Sequence, residues 1–220
     1  LRIIGNPAVF AKKYADEGAD ELLYIDTVAS LYGRNQLGRL IEDTTNDTFI
    51  PITIGGGIRS FGDAVSILAA GADKVAVNSA AALRPDLIHE IASRTGTQCV
   101  VVSIECKRVN GGWEAYTDCG RNPTGRDAIK WAEDASELGA GELLVTSIDR
   151  DGTRKGPDID LLKEINVDVP VIYSGGIRLQ DVCKVVQYSD GMAIGASLHY
   201  GDCTIGQIKE ELRKLGKEIR

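Results

Sequence analysis

The chain has 220 residues, 43% of them hydrophobic and 26% charged, with a formal net charge of −7. That length suits one large domain with a sizeable core, and the acidic balance excludes a basic face able to neutralise nucleic-acid phosphates. No apolar run approaches the roughly 20 residues that cross a bilayer and no signal peptide is visible, so a membrane span is excluded and a cytoplasmic protein is expected.

The first predicted element is a helix: Asn6 can cap it, Pro7 suits its first turn and Gly18 ends it. Short apolar, β-branched runs then alternate with amphipathic helical stretches. The strand candidates are 22–26, 51–54, 74–78, 99–105, 142–147, 169–173 and 191–195. Each is nearly continuous in apolar residues, as in parallel strands covered on both faces. Alternating β and α predicts a parallel sheet, and at this length a (β/α)8 TIM barrel. Such a barrel needs eight strands and seven are visible, so the first strand is expected upstream of Leu1. The five cysteines (Cys99, Cys106, Cys119, Cys183, Cys203) form no CxxC pair, which predicts reduced thiols with no metal or disulfide.

The two halves of the chain resemble each other. Glu21-Leu22-Leu23 recurs as Glu142-Leu143-Leu144, Gly56-Gly57-Ile58-Arg59 as Gly175-Gly176-Ile177-Arg178, and Asp73–Asn78 answers Asp190–Gly195, with offsets of 121, 119 and 117 residues. One domain over 1–220 built of two similar half-barrels, about 1–110 and 111–220, is therefore expected, with equivalent features across the barrel mouth.

Two of those features suit phosphate. A strand runs into Gly55-Gly56-Gly57 and then into a helix start, and the next strand ends in Asn78-Ser79-Ala80. Glycines let backbone N–H groups approach an anion, and a helix N-terminus adds a favourable dipole. The second half offers Ser174-Gly175-Gly176 and then Gly195-Ala196-Ser197. Glycine that merely permits a tight βα turn is the plain alternative for either copy. The repetition favours a ligand with a phosphate at each end.

Active sites of this fold lie at the C-terminal ends of the strands, where Asp26, Glu105, Asp149 and Asp151 stand. Glu105 closes the longest apolar strand, a costly place for an unpaired charge and a suitable one for a general acid or base. Its structural alternative is an ion pair with Lys107 or Arg108. Asp151 follows a strand in the polar run 146–153, where an Asx-type turn before Gly152 is the alternative. At the opposite strand ends, Glu21, Lys74 and Glu142 would ring the bottom of the barrel, and solvated strand starts are the ordinary account of such charges.

These residues carry a resemblance. The motifs Gly18-Ala19-Asp20-Glu21-Leu22, Gly55-Gly56-Gly57-Ile58-Arg59, Gly71-Ala72-Asp73-Lys74-Val75 and Gly139-Ala140-Gly141-Glu142, with the run 146–153, resemble the HisF family over essentially the whole chain. That family comprises the cyclase subunits of imidazole glycerol phosphate synthase. The related isomerase of the same pathway shares the phosphate sites but is less like 100–108 and the hairpin 113–117. The resemblance implies a lyase/cyclase acting in histidine biosynthesis on a phosphoribulosyl-formimino bisphosphate. Ammonia from a glutamine amidotransferase partner crosses the barrel interior, and the products are imidazole glycerol phosphate and aminoimidazole carboxamide ribotide. It implies that Glu21, Lys74 and Glu142 match three of four gate charges at the ammonia entrance. It further implies that Asp151 assists catalysis and that Gly56, Gly57, Asn78, Ser79, Ser174, Gly175, Gly176, Gly195, Ala196 and Ser197 hold phosphates, with no cofactor. Two departures stand out: the family's first catalytic Asp lies on a strand absent from this sequence, and its second corresponds to position 105, which is Glu in this chain. Glu105 is compatible with HisF-like paralogues that supply ammonia for amidination of bacterial surface-polysaccharide sugars. A non-catalytic, partner-binding barrel is the remaining alternative.

Overall fold

A computed structural model describes residues 5–27, 41, 44, 48–216 and 219. The helix expected between the first two strands falls largely outside them. Helix α1 (Pro7–Asp16) starts as its sequence dictates, with the Asn6 side chain accepting from Ala8 N and Pro7 in the first turn. The strand β1 (Leu22–Ile25) is followed by β2 (Ile52–Gly55), α2 (Phe61–Ala69), β3 (Lys74–Val77), α3 (Ser79–Leu83) and α4 (Asp86–Thr95). Ser60 and Asp63 form a reciprocal capping box at the start of α2. Then come β4 (Val100–Val109), β5 (Gly112–Thr117), β6 (Asn122–Asp127), α5 (Ala128–Glu137) and β7 (Glu142–Ser147). The chain ends with α6 (Ile159–Glu164), β8 (Val171–Ser174), α7 (Val182–Val185), β9 (Gly191–Ala193), α8 (Ala196–His199) and α9 (Ile205–Lys214). Among the described residues no helix is long and apolar enough to cross a membrane.

Seven strands run parallel in the order β1-β2-β3-β4-β7-β8-β9, with helices between them, as a (β/α)8 barrel requires. No ladder joins β9 to β1 among the described residues, and the inner-face residues Leu23 and Ile25 of β1 remain 38% and 40% exposed. The expected strands are recovered within two residues at each end, apart from β4, which continues past Glu105 to Val109. The extension pairs antiparallel with β5 across Asn110-Gly111, both with positive φ (44° and 88°), the signature of a tight two-residue hairpin turn. β6 then pairs with β5, so a three-stranded flap rises from the middle of the barrel.

The period of two along each strand sorts the core. Val75, Val77, Val100, Val102, Ile104, Leu143 and Val145 turn outward into a large cluster shared with the helices. Ala76, Val101 and Leu144 turn inward and form a separate small cluster with Ile172 and Ala193. The same alternation places Lys74 and Asn78 of the third strand, Glu105 of the fourth, and Glu142 and Thr146 of the seventh on that inner face. The interior column of β4 and β7 therefore begins and ends in a carboxylate.

Candidate active site

Glu105 sits opposite Tyr116 on the hairpin and Thr146 on β7. Its Oε2 accepts a hydrogen bond from Gly120 N at 2.8 Å. Burial pushes its pKa up. The Asp118 and Asp151 carboxylates push the same way, while the Gly120 N–H and the Arg121 guanidinium oppose them. The net result is a carboxyl that keeps its proton to higher pH than an ordinary glutamate. The ion-pair alternative fails: Lys107 lies over the Tyr116 ring at 5.4 Å, and Arg108 reaches Asp158 and Asp160 at 3.4 and 3.3 Å.

Asp151 is exposed, with its backbone N–H bonded to Ser147 O at 2.9 Å, and its charge acts on Glu105. Thr153 donates both its N–H and its hydroxyl to Arg150 O, so the N–H that an Asx-type turn would give to the Asp151 carboxylate is taken by a backbone carbonyl. The loop is anchored further on by buried Asp158. Asp158 caps α6 and takes the Trp113 indole N–H at 3.0 Å, while Tyr173 Oη meets its backbone N–H at 2.7 Å. Asp149 is structural, accepting from Arg108 N at 2.8 Å.

The two glycine corners are built alike. A Cβ on Gly56 would come within 2.4 Å of Asp26 O, and one on Gly175 within 2.8 Å of Ser147 O, because each corner packs on the end of the preceding strand. Gly57 and Gly176 follow with φ of 72° and 69°. Packing thus requires glycine at both corners. In the second copy Ser174, Gly175, Gly176, Gly195, Ala196 and Ser197 line one pocket together with Asp151 and Arg154. The Ser197 hydroxyl is buried and already donates to Ile177 O at 2.6 Å, so its side chain braces the corner. Arg154, held by Asp202 at 3.1 Å and stacked on Tyr200, brings a cation that sequence reasoning missed.

The first copy differs. Asn78 Nδ2 contacts Tyr116 O at 3.4 Å, and Ser79 Oγ exchanges hydrogen bonds with Asp118, donating to Oδ1 at 3.3 Å and accepting from its N–H at 3.0 Å. The hairpin flap therefore lies against the Asn78-Ser79 end with a carboxylate. Sequence reasoning missed Asp118 and Gly120, because nothing local ties a hairpin tip to a strand end 39 residues away.

At the other end of the interior, Lys74 Nζ bonds Glu21 Oε2 at 2.8 Å and Glu142 Oε1 at 2.5 Å. Thr53 Oγ1 donates to Glu21 Oε1 in a short hydrogen bond. Burial works to lower the Lys74 pKa, but the two carboxylates outweigh it and the net shift is upward. Glu142 Oε2 is buried with no hydrogen-bond partner. These charges form a paired cluster rather than solvated strand starts. Among the described residues no three His, Cys, Asp or Glu side chains converge as a metal site would need.

A family model described as "Histidine biosynthesis protein" matches residues 1–204. Several proteins named "Imidazole glycerol phosphate synthase subunit HisF" are similar over most of their length. One from Legionella pneumophila is 57% identical over 180 residues, covering 80% of this chain and 85% of that protein. One from Bacillus cereus (strain ATCC 10987 / NRS 248) is 44% identical, covering 100% of this chain and 90% of its own. Another from Dehalococcoides mccartyi is 43% identical, covering 100% and 89%.

Proposed function

We propose how the residues of this chain, which belongs to the HisF family of histidine biosynthesis proteins, divide the work of the cyclase subunit of imidazole glycerol phosphate synthase. The observation that carries the proposal is the interior column. Lys74 paired with Glu21 and Glu142 stands at one end, apolar side chains line the middle, and a proton-retaining glutamate stands at the other.

A glutaminase partner of the HisH kind docks on the face that carries Glu21, Lys74 and Glu142, and ammonia enters between them. A paired ring suits a gate because its charges stay satisfied when closed, whereas a lone buried charge would be too costly. The lining of Ala76, Val101 and Leu144 offers neutral ammonia a path without strong hydrogen bonds and denies ammonium ion a counter-charge. At the mouth the phosphoribulosyl-formimino bisphosphate lies across the barrel. One phosphate rests on Gly56, Gly57, Asn78 and Ser79. The other rests on Ser174, Gly175, Gly176, Gly195, Ala196 and Ser197, with Arg154 adding charge. Ammonia attacks, and the combined lyase and cyclisation steps give imidazole glycerol phosphate and aminoimidazole carboxamide ribotide.

Glu105 is the proton-transfer group, with Asp151 across the mouth as its assistant. A raised pKa brings a carboxyl nearer neutrality, where it both gives and takes a proton efficiently. The testing experiment is a cyclase assay with ammonium salt and the bisphosphate. Formation of both products that is lost in Glu105→Gln supports the proposal. Absence of cyclase activity in the wild-type chain, with ammonia still delivered to a sugar acceptor, would assign it to surface-polysaccharide amidination instead.

A further inference from the structure

We propose that Asp118 is a positioning residue, through which the first phosphate cradle and Glu105 are coupled by a strained hairpin tip. The proposal rests on phosphate binding by Ser79 and proton transfer by Glu105. Asp118, Cys119 and Gly120 have φ of 53°, 59° and 73°, three successive left-handed residues. Gly adopts that region freely and Asp tolerates it, but for Cys it is strained, so the tip persists only because its surroundings hold it.

The holding contacts are specific. Asp118 exchanges two hydrogen bonds with the Ser79 hydroxyl. Its Oδ2 accepts from Asn122 Nδ2 at 2.6 Å, and its carbonyl accepts from Arg121 at 3.2 Å. Cys119 Sγ donates to Thr27 O at 3.2 Å, tying the tip to the end of β1. Gly120 N donates to Glu105. One end of a three-residue tip thus grips the cradle and the other grips the proton-transfer group.

Ser79 has one hydroxyl proton, which is within reach of two acceptors, Asp118 Oδ1 at 3.3 Å and Asn78 Oδ1 at 3.5 Å. To bind a phosphate oxygen it must turn that proton away, and the dianion then lies beside a carboxylate that repels it. Phosphate binding therefore breaks the Ser79 hydrogen bond to the Asp118 carboxylate, and repulsion pushes that carboxylate toward Asn122 against the remaining Asp118 N–H bond to Ser79 Oγ. Because the tip is short and left-handed throughout, moving Asp118 also moves the Gly120 N–H that stabilises ionised Glu105. Glu105 is freed to hold its proton when the cradle is filled. The charged and titratable groups that act on Glu105 are Asp118 and Arg121 on the tip and Asp151 on the β7 loop, with the thiols of Cys106 and Cys119 adjoining.

Asp118→Asn, Asp118→Ala and Glu105→Gln test this. The readouts are the ammonium-dependent KM for the bisphosphate, the binding of inorganic phosphate, and 13C NMR titration of the Glu105 carboxyl. That resonance is assigned by its absence in Glu105→Gln. Asp118→Asn should lower the KM and the half-saturating phosphate concentration several-fold and move the Glu105 titration to lower pH. In the wild-type chain, inorganic phosphate should shift the Gly120 amide resonance, and Asp118→Ala should abolish that shift. Asp118→Ala, which removes charge and hydrogen bonds together, should show the same lowered KM and serves if the Asn variant does not fold. An unmoved titration with unchanged KM would make Asp118 merely structural and overturn the proposal, even if Glu105→Gln is inactive. Full turnover in Glu105→Gln would instead remove the underlying role of Glu105.

Discussion

The two ends of the barrel interior use the same side chain to opposite effect. At the bottom, Glu21 and Glu142 share the Lys74 ammonium, and Thr53 completes Glu21. At the top, Glu105 has two carboxylate neighbours, with a backbone N–H and a guanidinium to offset them among the described residues. Position along one strand face decides which glutamates belong to a closed ion cluster and which retains a proton. Residue type alone does not, and the register of β4 on β7 is what aligns the two ends.

The contrast between the two ends breaks most easily at Glu105. Glu105→Gln should reduce ammonium-dependent turnover by about 100-fold or more, the usual contribution of a general acid or base, with the bisphosphate KM nearly unchanged. Retention of more than about a tenth of the wild-type rate would make Glu105 structural, since that loss is far smaller than proton transfer supplies.

A smaller effect is expected at the second cradle. Arg154→Ala should raise the bisphosphate KM by about threefold, as befits a half-exposed charge contact, and leave kcat alone. Crystals soaked in sulfate or phosphate should show an anion near Gly57 and Asn78 and another near Gly176 and Ser197; density at neither would discard both cradles.

The smallest effect is on stability. A carboxyl whose folded-state pKa is raised destabilises the fold once it ionises, so its cost is absent below the unfolded value near 4.3 and complete above the folded value. Glu105→Gln should therefore raise Tm by a few degrees at neutral pH, with the gain vanishing by about pH 4. A fall in Tm at neutral pH would show that the charged form is favoured in the folded chain.

Much of this was legible in the residues. The strand order, the helix caps and the glycine corners follow from apolar runs, Asn6, Pro7 and Gly56, because those signals are local. The end of β4 was misplaced since Glu105 looks like a strand terminus, although Asn110-Gly111 marks the true turn. β6 was invisible: Asn122, Pro123 and Gly125 have poor strand propensity, and only its pairing with β5 makes it a strand. The sequence marks Ser197 as a phosphate-holding residue but does not show that its hydroxyl is used by Ile177 O, and the grip of Asp118 on Ser79 exists only in the folded chain. Partnering across the fold is what a sequence does not display.

Every role proposed for the interior depends on the bottom ring admitting ammonia. The direct measurement is product formed per glutamine hydrolysed by Lys74→Ala in complex with its glutaminase, beside the rate of the same preparation on ammonium salt. The ring as a gate predicts that ammonium-driven turnover stays largely intact while glutamine hydrolysis uncouples from product formation. Equal losses with glutamine and with ammonium would show that Lys74 supports the fold or the active site, and would contradict the gate.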